Sequence, residues 1–110
     1  MDLYEELKKQ VDNLQISLDQ LRKNGTEYAE AEKDYKVLLR QECLKLRDEG
    51  MAIGMIDKTC FGIPVVAEAR FKRDVAEAVY KANLEAINSI KLQMRLMENQ
   101  LQREYGSNIN

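Results

Sequence analysis

Apolar side chains recur along residues 64–105 as Ala76, Tyr80, Ile87, Ile90, Met94, Met97 and Leu101, a four-three alternation that only Asn83 interrupts. That spacing is the seam of a long helix in heptad register. Pro64 suits the first helical turn, where its missing N–H would be unpaired anyway, and Gly106 suits a left-handed C-cap. A helix of about forty residues, roughly 60 Å long, fits between them. A single exposed helix with an apolar seam needs something to cover that seam, either earlier helices of the chain or another copy.

The start of the chain carries a second seam. Leu7, Val11, Leu14, Leu18 and Leu21 stand four, three, four and three apart, with Leu3 or Tyr4 extending the stripe, which predicts a coiled-coil helix over residues 1–24. Gly25 suits a C-cap and Thr26 an N-cap, so a new helix is expected over residues 27–49. Its apolar face, with Tyr28, Ala31, Tyr35, Leu38, Leu39, Cys43 and Leu46, is broader, as for a helix with more than one neighbour. Gly50 is a stop, and residues 50–63, with Gly54 and Gly62, predict a corner containing a short helix.

These lengths predict an all-α fold of one domain, residues 1–110. The first two helices together match the last, which suggests an elongated antiparallel helical hairpin with a nick at Asn24-Gly25. The alternative is a small bundle in which the first helix folds back on the second. In either arrangement Leu7, Val11, Leu14, Leu18 and Leu21, together with Met94, Met97 and Leu101, are candidates for an oligomer interface, because a chain this short has a thin core.

Charge narrows the partners. The formal net charge of −2 gives no global attraction to nucleic acid or an anionic membrane. Only residues 38–73, with five acids and seven bases, lean basic. The start lacks a signal peptide's basic-then-apolar order and no apolar run approaches a membrane span, so no membrane association and a cytoplasmic location are expected.

Candidate chemistry is sparse. Without histidine there is no ordinary Ser-His-Asp, Cys-His or histidine-metal arrangement, and no phosphate-binding glycine pattern occurs. A non-enzyme with no cofactor and no metal is expected. The carboxylates Glu30, Glu32 and Asp34 read as a solvated helix face beside Lys33 and Lys36. Cys43 and Cys60, seventeen positions apart, permit a disulfide without implying one, and two thiolates alone do not make a structural zinc site.

Residues 46–73 resemble the helix-turn-helix of small site-specific DNA-binding proteins, with Gly50, Ile53, Ile56, Gly62, Ile63 and Val66 following its rhythm. In that reading Lys58, Arg70, Lys72 and Arg73 would contact DNA or another partner. Asp57 stands where that motif normally has a small apolar residue, and Glu68 and Asp74 dilute the basic patch. Tyr35 and Tyr80 lie in apolar stripes, where packing with the hydroxyl at the rim is the expectation rather than base stacking.

The run VAEARFKRDVAEAVYKANLEAIN from Val66 and the run KLQMRLMENQLQREY ending at Tyr105 resemble small helical proteins of unassigned function from bacteriophages or prophages of Gram-positive bacteria. The resemblance covers the second predicted helix through Tyr105. It implies a phage accessory or host-takeover role in the host cell, and it brings no ligand or catalytic residue with it. The leading expectation is a non-enzymatic interaction protein that forms a homo-oligomer and binds a protein partner. DNA binding through residues 46–73 is the alternative.

Overall fold

The computed structural model describes residues 2–109, with side chains described for residues 2–106. Among them are three helices and no strand: α1 (Leu3–Asp48), α2 (Ile53–Cys60) and α3 (Pro64–Ile109). The all-α expectation holds, with long helices paired along their seams.

The helix ends follow local chemistry. Asp2 caps α1, its Oδ1 accepting the Tyr4 N–H at 3.1 Å. Gly50, at φ 87°, ends α1 in a left-handed turn in which the Gly50 N–H reaches the Arg47 carbonyl at 3.0 Å and the Met51 N–H reaches that of Leu46 at 3.1 Å. Pro64 opens α3, with the preceding Ile63 carbonyl accepting the Ala67 N–H at 2.9 Å.

Two glycines do not act as the sequence suggests. The expected break at Asn24-Gly25 is absent, and α1 runs unbroken through both residues and Thr26. A glycine inside a helix costs only about 1 kcal/mol relative to alanine. Here the seam continues across it without a phase change, since Leu7, Leu14, Leu21, Tyr28 and Tyr35 form one seven-residue repeat and all are half-buried or buried. The bundle alternative, with a separate first helix folding back on the second, is therefore not the fold. Gly106 likewise does not cap α3, which continues to Ile109.

Contacts divide the chain into two compact units: Met1–Lys23 with Lys81–Asn110, and Asn24–Tyr80. In the first unit, Leu7, Leu14, Leu18 and Leu21 on α1 and Ile90, Met94, Met97 and Leu101 on α3 are half-buried, and Ile87 is buried. Val11 is exposed, whereas Gln10 and Ser17 are half-buried. The face that α1 turns inward is set by the repeat that includes Leu21, Asn24 and Tyr28, and this phase passes through positions 10 and 17 rather than 11. Asn83, the interruption in the α3 seam, donates its Nδ2 hydrogen to the Ser17 carbonyl at 3.2 Å.

In the second unit, residues 24–48 of α1 and residues 64–80 of α3 run antiparallel, joined through α2. Tyr35, Cys60, Val66 and Ala69 form the buried core, with Leu38, Leu39, Cys43, Leu46 and Ile63 packed against it. Cys60 and Val66 are fully buried. The short helix expected in the corner is α2, and its last residue supplies this core.

Candidate interaction surface

A helix that packs against one neighbour has a single inward face, and in α3 that face carries Val66, Ala69, Ala76 and Tyr80. Its first half has a further apolar row. Val65, Phe71, Val75 and Val79 are all exposed, the last three spaced four residues apart, so they stack along one side of the helix. Val37 on α1 is also exposed. Within the second unit Val37 and Val65 meet between the two helices in a groove of about 940 Å³, whose apolar lining also includes Ala31, Leu38, Pro64 and Ala69. A smaller hollow of about 250 Å³, lined by Phe71, Val75 and Val79, shares Glu27 and Lys72 with it.

The charges at the groove are mostly acidic. Glu27, Glu30, Asp34 and Glu68 line it, against Lys33 and Lys72. The first unit has an exposed apolar pair of its own on α3. Leu92 and Leu96 are exposed there, with Lys91 and Arg95 beside them at one-turn spacing and Glu98 a turn further on. Neither apolar row was singled out from the sequence. The four-residue spacing of Phe71, Val75 and Val79 was there to be found, but it lies beside a stronger heptad seam that draws the eye first.

The residues expected at an oligomer interface are largely occupied inside the chain. Leu7, Leu14, Leu18, Leu21, Met94, Met97 and Leu101 are half-buried in the first unit, and of that set Val11 alone is exposed.

The residues of the DNA reading are placed less uniformly. Lys58 and Lys72 are exposed. Arg70 is exposed, and its guanidinium lies 5.5 Å from the centre of the Phe61 ring. Arg73 is half-buried, stacked 4.5 Å from the centre of the Tyr35 ring and bound to Asp74 Oδ1 through Nη2 at 2.8 Å and Nε at 3.0 Å. The bond to Asp74 raises the Arg73 pKa further, so the charge is held where it is already engaged. The segment before α2 is a turn, and the helix after it is the 46-residue α3.

Among the described residues no cluster of three or more histidine, cysteine, aspartate or glutamate side chains is placed to hold a metal ion. No described helix is long and apolar enough to cross a membrane. Comparison of the chain with protein-family models, with curated proteins and with solved structures gives no match in any of the three.

Proposed function

We propose that this chain is a non-enzymatic, self-associating interaction protein, and that the groove of residues 24–80 is where it docks a second copy of itself. The single observation that carries the reading is the pairing of opposite surfaces on one chain. The groove has an apolar floor and a mostly acidic rim, while the exposed row around Leu92 and Leu96 is apolar with Lys91 and Arg95 at its edge. Burying such rows against each other removes apolar area from water at roughly 25 cal/mol per Å², and the charges at the rim select the partner and its orientation. A phage accessory or host-takeover role is the setting that the resemblance of the α3 sequence implies. Any further protein partner would bind the surfaces that self-association leaves free.

Light scattering over a concentration series tests the reading. More than one chain per particle is expected at high micromolar concentration, with a mass that falls as salt screens the rim charges. Val65→Glu in the groove and Leu96→Glu on the opposite row, both at exposed positions, are expected to return the particle to one chain while leaving helicity unchanged. A wild-type protein that stays monomeric at high micromolar concentration sinks the proposal. A duplex-binding assay on the same samples addresses the alternative: salt-sensitive binding lost in Arg70→Ala/Lys72→Ala, with the fold intact, would put DNA recognition first.

A further inference from the structure

Two thiols far apart in sequence meet in the core of the second unit. Cys43 lies in α1 and Cys60 is the last residue of α2, and both are free. Their sulfurs are 3.1 Å apart, with Cys43 Sγ–H directed at Cys60 Sγ. The Cys60 thiol in turn points at the Leu39 carbonyl, 3.5 Å away. A disulfide bond is about 2.05 Å long, so a relative shift of about 1 Å would bring the sulfurs to bonding distance. Cys60 ends α2 and is followed directly by the turn Phe61-Gly62-Ile63 rather than by more helix.

Exposure divides the two roles. Cys43 is half-buried and can be reached from solvent, whereas Cys60 is fully buried behind it. We propose that Cys43 and Cys60 form a thiol-oxidation site at which low-molecular-weight disulfides, of the glutathione class, close an intramolecular bond that clips α2 to α1.

The exchange balances in two steps. The Cys43 thiol gives up its proton to solvent, and the thiolate attacks one sulfur of the small disulfide. A mixed disulfide forms on Cys43 and one small thiolate leaves, taking a proton. Cys60 then loses its proton and attacks the Cys43 sulfur, forming the Cys43–Cys60 bond and releasing the second small thiol. Two protein thiols are oxidised and one small disulfide is reduced to two thiols. Burial, the largest cause, holds the Cys60 thiol above its ordinary range, which makes the second step the slow one near neutral pH.

The test holds the full-length reduced protein in oxidised glutathione under native conditions, quenches with acid and digests without reductant. The expected product is residues 41–45 joined to residues 59–70, with the intact chain lighter by two hydrogen atoms and no lasting glutathione adduct. Cys60→Ala is expected to keep a stable glutathione adduct on Cys43, and Cys43→Ala to leave Cys60 unmodified. Closing a loop between positions seventeen apart should raise the melting midpoint of the oxidised protein by roughly 10 °C. Glutathione retained on the wild-type chain, bonds only between chains, or a link that forms only in denaturant would each overturn the proposal. These readouts do not depend on self-association, so failure here leaves the proposed function untouched.

Discussion

The Tyr80 ring lies directly against Gly25. A Cβ placed on Gly25 would sit 3.4 Å from Tyr80 Cε2 and 3.8 Å from Cδ2, and the same ring tilts against Tyr28 with 5.8 Å between centroids. Those distances are ordinary van der Waals contact, so the position accepts a methyl group. Gly25→Ala is expected to stabilise the protein by about 0.5–1 kcal/mol, through helix propensity and a stiffer unfolded chain. Urea unfolding followed by circular dichroism measures it. A loss of stability would mean that Gly25 is needed as glycine at this contact.

Arg73 is expected to behave as a structural residue and Arg70 as a surface one. Arg73→Ala removes the stacking on Tyr35, a core residue, and should cost about 1 kcal/mol. Arg70→Ala, at an exposed site, should stay within about 0.5 kcal/mol. Paired denaturation curves decide it, and equal effects would show that the Tyr35 contact contributes nothing in solution.

Cys60 predicts an alkaline weakness. Its pKa rises from the ordinary 9.0 to about 11, first through burial and then through Cys43, with Glu42 and Asp57 adding to it. Tyr35 and Cys43 are further titratable groups in or against this core, and from α3 it receives apolar Val66 and Ala69, with Arg73 stacked on the Tyr35 ring. A folded-state pKa above the unfolded one means that folding favours the protonated thiol. The resulting stability is fully present below about pH 9 and is lost as pH rises through about 11, to a limit of about 3 kcal/mol. Melting midpoints of reduced wild type and Cys60→Ala should therefore converge across that window. Parallel curves would refute the assignment.

Leu14→Asp places a charge in the half-buried seam of the first unit. A loss of about 2–4 kcal/mol and of helicity is expected. Unchanged helicity and midpoint would show that this stripe is not packed against α3.

Heptad spacing in α3 was legible because a long helix repeats its inward face every seven residues whatever covers it, so Ala76, Tyr80, Ile87, Ile90, Met94, Met97 and Leu101 could be read in order. The stops at Gly50 and Pro64 were legible too, since a left-handed glycine turn and a proline at a helix start are local backbone chemistry. Gly25 was misread for a tertiary reason. Its cost in a helix is local and about 1 kcal/mol, but the choice between stopping and continuing depends on what the next turns bury, here Tyr28 and Tyr35 against α3. The inward phase at Gln10 and Ser17 follows from that same continuity. The groove at Val37 and Val65, the row of Phe71, Val75 and Val79, and the meeting of Cys43 with Cys60 needed the structure as well. By itself the sequence determined that the chain is helical, where its strongest seam runs and where the corner begins. Only tertiary packing decided which glycines break a helix, which apolar rows stay uncovered and which two thiols touch, because each depends on residues distant in sequence being brought to one side of a helix.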